Sequence, residues 1–290
     1  MTNLLLAVTL VAFTVPLAPA LSEVEGAQGP PAPPAAPAQP QGGRGIGALG
    51  QAVRRAPPPT TPTPRLPDGS VDLSGVWVGG GTDGDLEAGG GLKPGEIPVL
   101  PWVKDYMTKL DPTADPSSYC LPMGIPRKAP YPWRFVQDPA PGKAAKRLYV
   151  IEEGNIHSYR QIFMDGRKHP ADPVPTWFGH SIGRWEGDTL VIETVGFNGK
   201  VWMDRRGFPQ TEKAKVTERF TRVNMGTLER VVTIEDPDAY SKPFTVRFRA
   251  TLSNPDDELI EYICNENNQY GGAGGFQTPR EFPIIAPPSR

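Results

Sequence analysis

The chain has 290 residues, 30 Lys and Arg against 32 Asp and Glu, and a formal net charge of −2. Its basic residues are dispersed, which excludes a surface built to hold a phosphate backbone, so no nucleic-acid partner is expected, and it leaves no patch for an anionic membrane. The 36 Pro and 32 Gly, many of them before residue 100, point to extended and turn-rich chain.

Leu4 to Leu17 is almost wholly apolar, and Ala18-Pro19-Ala20 offers a small-x-small cleavage pattern, so residues 1–20 read as a signal peptide. The segment before it has no Lys or Arg, and a retained anchor is the alternative reading. The run is too short for a comfortable membrane span and no second long apolar run follows, so no transmembrane segment is expected in the mature chain. The expected location is secreted or periplasmic. Cys120 and Cys264 are the two cysteines. In an oxidising compartment they most simply form a disulfide closing a loop of about 145 residues, which the chain-entropy model values near 5 kcal/mol. Two buried thiols are the other reading.

Residues 21–66 are rich in Pro, Ala, Gln and Gly ("GPPAPPAAPAQP", "APPPTTPTPRLP") and hold too little apolar surface to offset ordering, so a disordered tether is expected. A β domain is expected over 67–270 and an extended tail over 271–290. The domain opens at Asp72-Leu73-Ser74-Gly75-Val76-Trp77-Val78, followed by a Gly-rich loop from Gly79 to Gly91. That loop lacks the Lys-Ser/Thr of a phosphate cradle, and its Asp83, Asp85 and Glu87 lack the closing Glu of a calcium loop. Pro101 to Leu110 is the one convincing helix, with Trp102, Val103, Tyr106, Met107 and Leu110 on one apolar stripe.

Beyond Lys146 the pattern is alternation across turns. Arg147–Glu152 faces Ile156–Met164, and Trp177–Trp185 faces the run ending at Val195 across Glu186-Gly187-Asp188. Lys215–Val223 faces Thr227–Ile234, and Phe244–Leu252 faces Leu259–Cys264. With Val76–Val78 and a strand near Phe135 this makes about ten strands. Consecutive hairpins predict a mainly β fold, an antiparallel meander closing into a calycin- or lipocalin-like β-barrel with one short helix. An open β-sandwich is the alternative.

The motifs "DLSGVWVG", "CLPMGIPR", "YRQIFMDGRKHP", "WFGHSIGRWEGDTLVIETVGF" and "EYICNENNQ" together resemble a group of secreted hypothetical proteins of soil bacteria, acidobacteria among them. The likeness spans roughly Asp72 to Gln269, and Gly-Arg-Trp-Glu-Gly-Asp-Thr-Leu is its most specific piece. It implies export and β architecture and transfers no catalytic residue. "LSGVW" is also similar to lipocalin and avidin openings.

The chemistry-bearing residues are few. Of three histidines, His157 and His180 could meet across a sheet with Glu152 or Asp165, yet no HxH or HxxxH pair sets two metal ligands on one element, and neither metal nor cofactor is expected. Ser181 adjoins His180, but neighbours on a strand face opposite ways and no GxSxG elbow exists, so no catalytic residue is assigned. Charges on otherwise apolar strand faces are more informative: Arg160 beside Ile162, Glu218 between Val216 and Phe220, Glu261 between Leu259 and Ile263. Arg160 with Glu218 or Glu261 could line a pocket floor, or form a structural ion pair.

Trp177, Phe178 and Trp202 lie at strand ends and in loops, where aromatics at a barrel mouth can clamp a ligand. The long loop Gly196–Glu212 is the lid candidate. The expected ligand-binding set is therefore Arg160, His180, Arg184, Glu218, Glu261, Trp177 and Trp202, around a small organic or hydrophobic molecule. Two other functions fit the same residues: an exported acid–base enzyme such as an isomerase, cyclase or hydrolase, and an envelope interaction module without cavity chemistry.

Overall fold

The structure, a computed structural model, describes residues 57–128, 130–154, 159–264 and 282–288, with the backbone of 44–46 and 52–54. The expected signal peptide, most of the Pro-rich stretch, His157 and residues 265–281 lie outside the described residues.

Nine strands form the barrel: β1 (Trp77–Gly79), β2 (Trp133–Asp138), β3 (Arg147–Glu152), β4 (Tyr159–Phe163), β5 (His180–Glu186), β6 (Thr189–Val195), β7 (Lys215–Asn224), β8 (Thr227–Glu235) and β9 (Phe244–Leu252). Each pairs with the next in sequence, and β9 returns to β1 through Leu252 opposite Trp77, closing a barrel. A ring of wholly antiparallel neighbours needs an even number of strands. Nine therefore force a parallel junction, and β4–β5 supplies it with only two residue pairs, Ile162 with Ser181 and Phe163 with Ile182. The helix α1 (Pro101–Thr108) starts at Pro101, whose missing N–H costs nothing in the first turn, and buries Val103.

Leu259–Cys264 is not a strand. Both sides of β9 are already paired, to β8 and to β1, so no edge remains for it to join. The segment is tied down otherwise, by the Cys120–Cys264 disulfide with Cα atoms 5.7 Å apart and by the Ile260 N–H donating to Glu153 at 3.2 Å.

Described residues at the end of the expected tether pack on the barrel. Met225 N–H donates to Thr61 O and Gly226 N–H to Pro59 O, both at 2.8 Å, and Arg65 pairs with Asp188 at 2.5 Å. Arg44–Ile46 also pairs antiparallel with Ala52–Arg54. The loop Gly196–Glu212 is built in rather than lid-like. Val201–Trp202 pairs with Pro209–Gln210, and the buried Asp204 accepts the backbone N–H groups of Leu86, Arg206 and Phe208. In the Gly-rich loop, Asp83 is taken by Arg127 and Arg205, Asp85 caps the helical turn Leu86–Gly89, and Glu87 accepts from Gly95, Ile97 and Arg206.

Period-two alternation sends one face of every strand inward. One end of the interior holds Trp133, Phe135 and Phe220 in edge-on and tilted contact, clustered with Trp77, Leu148, Leu190 and Leu228. The other end holds Val216, Val232, Ile234 and Val246, capped by Leu86, Val103, Met203 and Phe208. On β7, Glu218 sits between Val216 and Phe220; on β8, Arg230 sits between Leu228 and Val232. A charged layer thus separates two apolar clusters.

Candidate functional site: a charged chamber behind an aromatic groove

The charged layer is built on Glu218, fully buried on β7. Its Oε1 accepts from Arg230 Nε at 3.0 Å and Nη2 at 2.7 Å. Its Oε2 takes no aligned hydrogen bond and is held by charge, 2.5 Å from Arg160 Nη2. Arg160 is fixed in turn by Ser181 Oγ at 3.2 Å and Thr194 Oγ1 at 2.7 Å. Arg230 Nη1 donates to Gly80 O at 2.6 Å and Pro126 O at 3.1 Å. Burial alone would push the Glu218 carboxyl up; the two guanidiniums overrule it and hold it down at about 2.

Lys128 enters the same layer from the loop before β2. Its Nζ lies 2.5 Å from Glu152 Oε1 and 4.3 Å from the centre of the Trp133 ring. Burial pushes this ammonium below its ordinary range; Glu152 opposes that and Arg230 adds to it. The cavity enclosed by these groups measures about 30 Å³, room for one water, so the barrel is not an open calyx. Phe178 is part of its wall.

Phe178 also belongs to a much larger groove outside, at the short β4–β5 junction, where the strands diverge. This groove, about 570 Å³, is lined by Tyr159, Phe163, Trp177, Phe178, His180 and Ser181, with Pro170 and Pro173 along its rim. Its volume is that of a small-molecule site. Gly179 can follow Phe178 because it adopts φ +67°, and a Cβ there would lie 2.6 Å from Val195 O.

One wall carries a histidine pair. His169 Nδ1 and His180 Nδ1 are 2.9 Å apart, so one imidazole must donate and the other accept. His180 stacks on Phe163, and Arg167 lies over the same ring at 3.8 Å. Both histidines are pushed below their ordinary range, His169 by burial and then by His180, His180 by burial and then by Arg167.

A second groove of about 540 Å³ lies between α1, Trp202 and the 282–288 segment, with Trp102, Tyr106 and Asp105 in its wall. The Tyr106 hydroxyl is pushed up to about 12 by burial, with a hydrogen bond to Trp202 pulling the other way.

The residues singled out from sequence are therefore divided. Arg160 and Glu218 meet in the chamber, Trp177 and His180 meet in the groove in front of it, and Trp202 lines the second groove. Arg184 turns to the outer face, paired with Glu186 at 2.7 Å and Glu193 at 2.6 Å. Glu261 is exposed on the segment tied by the disulfide. His180 faces His169, while Glu152 is taken by Lys128 and Asp165 by Arg167. Among the described residues no three His, Cys, Asp or Glu side chains converge as a metal set, and His157 lies outside them.

Arg230, Lys128 and His169 are the members that sequence reading passed over. Arg230 carries the signal that marked Glu218, a charge on the apolar face of Leu228, Val232 and Ile234. The other two sit in loops without periodicity. The chain matches no family model, no curated protein and no solved structure.

Proposed function

We propose that this protein is an exported carrier or receptor for a small organic molecule, which lies in the aromatic groove at the β4–β5 junction. The observation that carries the reading is the groove itself: a ligand-sized concavity walled by Tyr159, Phe163, Trp177 and Phe178, with His180 and Ser181 as polar contacts. Tyr159 is 56% exposed there, so an apolar partner has surface to cover. The barrel interior is not the receptacle, since its cavity is one water in size. Export rests on the apolar leader Leu4–Leu17 with its Ala18-Pro19-Ala20 site, and on the disulfide, which persists in oxidising compartments.

Titration with the neutral fluorescent probe N-phenyl-1-naphthylamine tests the reading. Saturable binding is expected in the wild type, lost in Trp177→Ala and retained in Trp202→Ala. Absence of saturable binding, or loss in Trp202→Ala alone, would overturn it. Denatured mass spectrometry of protein recovered from a bacterial periplasm tests export: cleavage after Ala20 is expected, and an intact N-terminus would overturn the cleaved-signal account.

A further inference from the structure

We propose that the His169–His180 pair is an acid-operated latch on the aromatic groove, closed when both imidazoles are neutral and sprung when one takes a proton. This rests on the groove reading above and concerns how that site gives up its ligand.

The segment between β4 and β5 supplies Pro170, Pro173, Val174 and Trp177 to the groove. Thr176 fastens its far end, donating to Gly196 O at 3.0 Å and accepting from Asn198 N–H at 2.9 Å. Arg167, paired with Asp165 at 2.6 Å, lies over Phe163 at the near end. Pro173 lies against Gly196 and adds packing without a hydrogen bond. Between Arg167 and Thr176 the one hydrogen bond among the described residues is His169 to His180, at 2.9 Å. His169 is half-buried between exposed neighbours, and Val174 is 80% exposed. The histidine pair is thus the pin that holds this wall of the groove against β5.

The pin is sensitive to acid because of where its protons lie. Each neutral imidazole carries one proton, so a single N–H joins the two Nδ1 atoms. The other nitrogen of His169, Nε2, is buried with no partner among the described residues. A buried N–H without an acceptor is the costlier orphan, so His169 keeps its proton on Nδ1 and His180 accepts. An added proton then has no place that spares the contact. On His180 Nδ1 it sets two N–H groups head to head. On His169 Nε2 it buries a charged donor without an acceptor, and the ring must turn out to water. The surroundings oppose the cation too: burial pushes both imidazoles down first. At His169, His180 adds to this, Glu193 opposes it and Lys215 adds again; at His180, Arg167 adds. Glu193 is a weak counter-ion, since Arg184 holds it at 2.6 Å and Lys215 at 3.3 Å. Lys168 and Asp172 stand exposed on either side of His169 along the segment. Protonation therefore ends in separation of the rings, and the wall from Pro170 to Val174 leaves the groove.

The test is titration of N-phenyl-1-naphthylamine, neutral over the range used, into the wild type and His169→Gln. The wild type is expected to bind it about tenfold more weakly at about pH 5 than at about pH 8. A Gln amide can turn to donate or to accept and so meets either form of His180. His169→Gln is therefore expected to bind the probe equally at both pH values. Linkage requires the converse in the wild type. Bound probe should lower the His180 ring-proton midpoint, read by nuclear magnetic resonance, by about one pH unit, the same tenfold. This second measurement needs no variant and decides alone should His169→Gln not fold. Wild-type affinity that ignores pH, a loss that His169→Gln shares, or a midpoint that the probe leaves in place would each overturn the latch and leave the groove reading standing. Absence of saturable binding at about pH 8 would overturn both.

Discussion

Glu218 on β7 and Arg160 on β4 meet at 2.5 Å across the barrel interior, although two strands separate them in the sheet. The contact is therefore a strut through the barrel rather than a cross-strand pair, and Arg230 grips the other oxygen of the same carboxylate. Removing one partner strands buried charge. Glu218→Gln is expected to cost about 3 to 5 kcal/mol in urea unfolding, because two guanidiniums then lose their counter-ion. Replacing Arg160, Glu218 and Arg230 together by Met, Leu and Met is expected to cost less than Glu218→Gln alone. A triple variant less stable than the single one would refute this.

The same carboxylate sets the acid limit. Its pKa falls from 4.5 to about 2 on folding, so the folded state binds the proton less well than the unfolded one. Its stabilisation is complete above pH 4.5 and is lost as the pH falls toward about 2, a change on the order of 3 kcal/mol. Urea midpoints measured down that range should fall steeply in the wild type and more gently in Glu218→Gln. Parallel profiles would show that other carboxylates govern acid unfolding.

The histidine pair titrates in the opposite chemical sense, with the same direction in pH. Both imidazoles have folded values below the ordinary 6.5, so their neutral forms favour the folded state; that contribution is present above pH 6.5 and lost below it. Nuclear magnetic resonance titration of the ring protons should place His180 below 6.5 and show it rising in Arg167→Gln, which removes the neighbouring guanidinium. An unchanged His180 midpoint would assign the whole depression to burial.

The disulfide joins residues 144 positions apart, pinning the irregular segment after β9 to the loop after α1. Cys120→Ala with Cys264→Ala is expected to cost about 2 to 5 kcal/mol. The loss should show as a lower melting temperature that dithiothreitol does not change further, whereas reduction of the wild type should reproduce it.

The barrel was readable because its strands alternate cleanly and the β5–β6 and β7–β8 turns are short. Phe244, Val246, Phe248 and Ala250 announce an inward face, and Met225-Gly226 announces a hairpin. Half of the charged layer was readable for the same reason: Glu218 breaks an apolar face. Leu259–Cys264 misled because alternation records which face is apolar, not whether a neighbouring edge is open. Lys128 was silent, since it reaches the chamber from an irregular loop held by Lys128 N–H on Thr82 O at 3.2 Å. The groove was legible only as a supply of aromatics. Its position depends on the parallel β4–β5 junction, a property of the closed ring and of no local stretch.

Barrel closure also imposes an order of events on a chain made from its N-terminus. Trp77 finds Trp133 early, but its other neighbour, Leu252, is among the last barrel residues delivered. Until then the growing sheet has two raw edges, one at β1 and one at the newest strand, and either can recruit another chain. Cys264 arrives after β9, and the sequence offers Cys120 no other partner. An oxidising enzyme thus cannot staple a half-made barrel within one chain, and the bridge serves as a timestamp: its appearance reports that every strand has been delivered.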